Sequence, residues 1–261
     1  MILSRLRVIW TVFRLHLKQV AVNTFIIFAV IVQPLIVALL AIYLLRDTEG
    51  FQAIYVIVGS AMGGLWTGIL HSSGYNIQSE RWAGTLESII GSPTQLATVI
   101  IGKTLANTAM SISSILFSYP MAAFLFGYRL TIAHPFSFTV SVLLTVLALV
   151  SLGLIIAPFM SVNIGGTIWT NMLEMPIYIL GGFLFPISLL PGWTTPMSYA
   201  LAPYWAARAL HATSSGGVPI GDVFSSWGLL VGFCVLYWFI SAWLFRVLLR
   251  QAREEATLGV Q

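Results

Sequence analysis

From Leu130 to Leu173 the chain carries no Asp, Glu, Lys or Arg. In water such a run would have to be buried on every side, which a globular core rarely achieves. In a bilayer it needs no cover. Composition points the same way, with 58% hydrophobic residues, 8% charged residues and a mean hydropathy of +0.93. A water-soluble domain cannot be clothed with so few polar groups.

A hydrocarbon core about 30 Å thick takes about 20 residues of helix. Apolar runs of about that length, all uncharged but for Glu174 in the fifth, divide the chain into six expected spans, Ala21–Leu45, Phe51–Gln78, Thr104–Tyr128, Phe136–Met160, Thr167–Phe185 and Phe224–Phe245. The long run is cut at SVNIGG, Ser161 to Gly166, and Pro34 inside the first span is tolerable where neighbouring groups satisfy the freed carbonyl. The fold class expected is all-α, a single transmembrane domain over residues 1–261. Six spans put both termini on one side. Lys and Arg are retained on the cytoplasmic face. With the termini inside, Arg5, Arg7, Arg14, Lys18, Arg81, Lys103, Arg246, Arg250 and Arg253 are cytoplasmic against Arg46, Arg129 and Arg208 outside. The expected location is the plasma (inner) membrane, multi-pass, with both termini cytoplasmic.

Residues 1–19 do not read as a cleavable signal, because basic residues continue to Lys18 with no small-residue cleavage site after a short apolar core. On a helical wheel Arg7, Thr11, Arg14 and Lys18 form one stripe opposite Ile2, Leu3, Leu6, Ile9, Trp10, Phe13 and Leu17, with Val8, Val12 and Leu15 blurring the flank. The pattern predicts an interfacial helix. Residues 186–222 are too apolar for a solvated loop and too interrupted by proline to cross, so re-entrant or interfacial outer helices are expected, with Pro203 kinking or starting one. Ser214 to Asp222 reads as a turn.

Several function classes fall away. The formal charge of +4 is scattered over the ends of apolar runs, not gathered in a stripe with interleaved aromatics, so nucleic acid is not an expected partner. Cys234 is the sole cysteine, which leaves neither an internal disulfide nor a thiol metal site. ATVIIGKT, Ala97 to Thr104, resembles a phosphate loop only loosely: Ile100 and Ile101 resist the required turns, and a span follows. Lys103 reads there as an interfacial anchor. The chain is expected to hydrolyse no ATP and to hold no cofactor or metal. An intramembrane enzyme would need a nucleophile with a base, paired carboxylates or a metal cluster, and the histidines stand apart. A secondary transporter would show two similar halves with broken helices; no repeat is visible.

Glu174 is the acid inside a span, and it and His71 both lie about 10 Å in from the cytoplasmic ends of their helices. Either the two face each other or a shared cavity, marking a pathway, or Glu174 is protonated or reaches water while His71 bonds a carbonyl.

The other polar interruption is SERWAGTLESIIGSPT, Ser79 to Thr94. Helical spacing puts Glu80, Gly84 and Glu87 on one side, Ser79 offers an N-cap, and Gly91, Ser92 and Pro93 offer a stop. A helix of about three turns is expected between spans two and three. This segment resembles that of the ABC-2 type transporter permeases, in which a glutamate, a glycine followed by threonine and leucine, a second glutamate and a serine before proline recur; here they are Glu80, Gly84, Thr85, Leu86, Glu87, Ser92 and Pro93. GGFLFPISLLPGW, Gly181 to Trp193, and APYWAARAL, Ala202 to Leu210, are similar to the family's pattern at the outer end of span five.

The resemblance implies the membrane half of an exporter. Two permeases, identical or homologous, would pair within the membrane lipids and dock ABC ATPase subunits that bind ATP and Mg. The short helix at residues 79–94 would be the coupling segment, with Glu80, Gly84, Thr85, Leu86 and Glu87 at the ATPase. The path would run between the copies along spans one, two and five, where Trp66, His71, Asn171, Glu174 and Tyr178 are the candidates. Polysaccharide-moving relatives carry a basic and aromatic N-terminal pattern not found in RVIWTVFRLHLKQV, which favours drug-like or lipid-like cargo over polysaccharide or glycolipid. In a background with Cys234→Ala, a cysteine introduced at Glu87 is expected to react with a membrane-impermeant maleimide in inside-out vesicles and not in intact cells; the reverse result would invert the topology.

Overall fold

The computed structural model of the chain describes residues 2–46, 52–91, 96–126, 132–162, 166–216 and 219–258, and among these every regular element is a helix. In chain order they are α1 (Ile2–Ala21), α2 (Thr24–Ile27), a π-helical stretch (Phe28–Val32), α3 (Gln33–Leu45), α4 (Ala53–Trp82), α5 (Leu86–Gly91), α6 (Leu96–Phe126), α7 (Pro135–Val162), α8 (Gly166–Leu180), two 3₁₀ turns, α9 (Thr195–Tyr199), α10 (Ala202–Ser215) and α11 (Ile220–Leu258). Among the described residues five stretches are long and apolar enough to cross a membrane: Thr24–Leu45, Ala53–His71, Thr98–Phe117, Pro135–Ile156 and Gly221–Val247.

The fifth expected span differs. Its helix, α8, has 15 residues, about 22 Å of rise, and stops at Leu180 rather than Phe185. Gly182 ends it in the left-handed region, φ +65°, where a side chain is strained, and Pro186 follows. Of the break expected at Ser161 to Gly166, residues 163–165 lie outside the described residues.

α4 is the hub. Of its apolar window 83% is buried, against 22% for that of α11, so α4 packs on protein all round while α11 lies at the edge. Glycines allow this. A Cβ at Gly59 would fall 1.8 Å from the Phe183 carbonyl oxygen, and one at Gly63 would fall 2.2 Å from the Tyr178 hydroxyl. On another face Gly64 and Gly68 admit Ser114 and Ser111 of α6. Two small-xxx-small stripes thus bring two sets of neighbours against one rod.

Pro34 resolves as expected in kind. It lacks an amide, and just before it the helix widens into the π-helical stretch, where the Gln33 N–H donates to the Phe28 carbonyl. α1 runs past the expected residue 19 to Ala21, and Asn23 Oδ1 caps α2 by accepting from the Phe25 and Ile26 amides. The wheel of α1 needs a correction too. Val12, assigned to its polar flank, faces protein: Val12 Cβ and the Ile9 carbonyl both lie 2.9 Å from where Gly102 of α6 would carry a Cβ. Leu6 and Trp10, on the expected apolar arc, are exposed. The helix carries three sets of residues, apolar ones against protein, apolar ones left exposed and charged ones left exposed, where a two-sided moment sees two.

The apolar connection after α8 packs inward. Pro203 starts α10, as one of the two expected outcomes, and residues of α10 from Ala202 to Ser214 are largely buried against α4, α7 and α11. His211 stacks on Tyr55 at the start of α4, ring centroids 3.5 Å apart, and its Nε2 lies 3.0 Å from the Phe183 carbonyl oxygen. Amides of Ala133 and His134 donate to the Ser214 and Thr213 carbonyls at 3.1 Å, and Arg208 pairs with Asp222 of α11 at 3.6 Å. The expected turn Ser214–Asp222 holds Gly216 at φ +74° and the start of α11, while residues 217–218 lie outside the described residues. Gly59→Ala is expected to cost about 2 kcal/mol or more in thermal unfolding of the purified chain. Gly232→Ala, inside α11 and with open space for its Cβ, is expected to cost nothing and to gain up to about 1 kcal/mol from helix propensity.

Candidate functional site

Polar side chains in the bundle mostly answer to backbone carbonyls, but one group answers to itself. Thr67 and His71 are four residues apart on α4, and Glu174 and Tyr178 are four apart on α8, so each pair shares a helical face and the two faces meet. Thr67 Oγ1 donates to Glu174 Oε1 at 2.6 Å and lies 3.4 Å from the Tyr178 hydroxyl. His71 Nε2 is 3.9 Å from Glu174 Oε2, and His71 Nδ1 is 3.1 Å from the Thr67 carbonyl oxygen. His71 therefore faces the acid, as the first reading expects, and also bonds a carbonyl, which is one part of the second. Glu174 is buried, His71 is a quarter exposed, and the ring of Phe25 approaches His71 edge-on at 6.2 Å.

Of the expected path residues, His71, Glu174 and Tyr178 come together. Trp66 does not join them: it is wholly buried in the apolar core, and its indole N–H has no hydrogen-bond partner among the described residues. The Asn171 side chain lies outside the described residues. Thr67 and Phe25 are additions. The i, i+4 spacing of Thr67 to His71 was a visible signal; for Phe25 there was none, because its approach depends on the α1–α2 break.

The second polar centre lies where α1, α4 and α6 meet. The expected three-turn helix at residues 79–94 is not formed. α4 carries on through Ser79 and Glu80 to Trp82, which puts Ser79 inside the helix and not at a helix start; the chain then turns at Ala83 and Gly84, φ +66°, and α5 is only 6 residues long. The cause is at hand. Lys103 of α6 pairs with Glu80, and Thr85 donates to the same carboxylate while its amide donates to the Glu80 carbonyl at 3.0 Å. These bonds hold Glu80 on the end of α4 and fold the next residues back over it. Lys103, expected as an interfacial anchor, is buried here in a continuous helix that runs through the apparent phosphate-loop string. Next to it His16 of α1 bonds Gln19 at 3.2 Å and Asn107 of α6 at 3.1 Å. The side chains of Leu86 and Glu87, with residues Ser92 and Pro93, lie outside the described residues.

Burial alone would raise the Glu80 carboxyl; hydrogen bonds from Lys103 and Thr85 and the Lys103 charge outweigh it and hold the pKa below the ordinary carboxylate value. Burial and the same lysine push the His16 imidazole down against its two amide partners, so it is held neutral.

Residues 7–214 match the family described as ABC-2 type transporter. No curated protein matches the chain.

Lys103→Met is expected to lower stability by about 2 kcal/mol, since it leaves a carboxylate unpaired in a mostly buried place. The folded carboxyl is depressed, so its stabilisation is full above the ordinary carboxylate range and is lost as pH falls through the lower folded value. Glu80→Gln is accordingly expected to lose less stability than the parent chain between neutral pH and about pH 3, read by tryptophan fluorescence during thermal unfolding.

Proposed function

The chain belongs to the ABC-2 type transporter family, and from that premise we propose that it is the permease subunit of an ATP-driven exporter carrying an amphipathic, drug-like or lipid-like substrate outward. Family membership makes it a multi-pass membrane permease rather than an ATPase, and it implies an ATPase subunit as partner. On our reading that partner binds ATP and Mg at the cytoplasmic side, both termini share that side, α8 with the turn after it completes a sixth crossing, and a second permease completes the path in the inner membrane.

The observation that carries the proposal is the continuity of α4. One unbroken helix of 30 residues, about 45 Å, bears Glu80 near one end, Thr67 and His71 in its middle and Tyr55 at the other end. A displacement applied at the 80–91 turn therefore reaches the polar group at Glu174 without a hinge between them. α1 is tied to the same end through His16, Asn107 and Gly102, so a surface helix and the turn would move together. This suits rigid-body alternation of access driven from outside the chain.

Within the turn the roles divide. Glu80 and Thr85 are engaged internally and shape it; Ala83, Gly84 and Ser88 are exposed, and with Leu86 and Glu87 they form our docking surface for the ATPase. Reconstituted with its ATPase, Glu87→Lys is expected to reduce transport-coupled ATP hydrolysis about tenfold while the permease still inserts and folds. Unchanged coupling would remove the docking assignment. Movement of cargo by the permease without any ATPase would overturn the exporter reading itself.

A further inference from the structure

The Thr67 carbonyl oxygen can only accept, so the His71 Nδ1 beside it at 3.1 Å must carry the proton. In the neutral ring Nε2 is then an acceptor. It looks across 3.9 Å at Glu174 Oε2, a second acceptor, while Oε1 is already taken by the Thr67 hydroxyl. The separation is too long for a direct hydrogen bond. Two lone-pair atoms thus border one gap, and among the described residues no Lys or Arg lies within 4.0 Å of that carboxylate. In a low-dielectric interior such a pair calls for a donor bearing positive charge. His71 is a quarter exposed, so the gap is reachable, and Phe25, itself exposed, stands over the imidazole as an apolar wall.

A protonated amine meets each of these demands. Its N–H groups can donate to Nε2 and to Oε2, its charge offsets the carboxylate, and an attached apolar body can lie along Phe25. An anionic headgroup meets none of them. We propose that Glu174 and His71 recognise the ammonium group of a cationic amphiphile, with Thr67, itself backed by the Tyr178 hydroxyl, holding the carboxylate in place. The assignment rests on the exporter reading above and adds to it the charge class of the cargo.

The test uses the permease–ATPase complex in zwitterionic lipid nanodiscs and three probes: a dansyl-labelled dodecylamine, its neutral N-acetyl derivative and the matching dodecanoic acid. After subtraction of empty-disc partitioning, the amine is expected to bind about tenfold or more tightly than the other two. Glu174→Gln should abolish that margin and leave the N-acetyl probe unaffected; Glu174→Asp should keep part of it. His71→Gln serves where the first variant does not assemble, and should likewise weaken the amine alone. Equal binding of the three probes overturns the assignment, as does an amine preference that survives Glu174→Gln, and so does a gap that holds only a proton, since the amine would then have no advantage. The exporter reading is judged separately in proteoliposomes. ATP-driven movement of the neutral probe with no amine preference keeps the exporter and sinks the ammonium site, whereas amine-selective binding with no ATP-driven movement of any probe keeps the site and sinks the exporter.

Discussion

Hydrocarbon offers no hydrogen bonds, so a polar group below the membrane surface is favoured where it finds a partner inside the protein. The bundle is organised by that demand. Thr108 and Ser111 of α6 bond carbonyls one turn back at 2.7 and 2.9 Å; Ser114 reaches across to the Ala61 carbonyl of α4 at 3.2 Å, and Ser241 of α11 to that of Leu154 in α7 at 2.9 Å. Small hydroxyl side chains serve both to satisfy themselves and to let helices approach. The glycine stripes of α4 act with them, since the same close approach that accommodates Ser111 and Ser114 leaves no room for a Cβ at Gly64 or Gly68.

Against this background the charged groups stand out by where they are permitted. Glu174 is held by Thr67 and faces His71, and Glu80 is held by Lys103 and Thr85; in each case α4 supplies one side of the arrangement and a neighbouring helix the other. The two centres are nine residues apart along a single rod, His71 to Glu80, about 14 Å of rise. A transporter driven by a separate ATPase needs a stiff connection of this sort, because force applied at a surface turn is useful only if no flexible joint absorbs it before it reaches the cargo. At the far end, His211 and Tyr55 clamp the start of α4 to α10 and to the turn after α8. The rod is held at three levels.

Much of this was legible early. Uncharged runs located the five long membrane stretches to within a few residues at most ends, because a bilayer imposes one length and one composition. The encounter of His71 with Glu174 was also foreseeable, since two ionisable groups at equal depth in oil have few other partners. The polar insert was misread for an equally physical reason. Local spacing and capping rules treated Ser79 to Gly91 as an isolated segment, whereas Lys103, more than twenty residues further on, binds Glu80 and stretches α4 through the supposed start. The same distant partner turned Lys103 from a surface anchor into a buried cation. In α1 the wheel separated charge from oil correctly but could not say which oily residues met protein and which met lipid, as the two environments have the same polarity.

The sequence by itself determined that the chain is helical, lies in a membrane, and concentrates its few charges at the ends of its spans, with Glu174 as the acid inside one, since transfer free energy depends on residue type and run length alone. Only the tertiary structure decided that Thr67 completes the site around Glu174, that Trp66 stays out of it, and that Glu80 faces inward to Lys103. Those outcomes depend on the rotation and depth of one helix against another, which are set by where glycines let backbones touch and by hydrogen bonds between residues far apart in the chain.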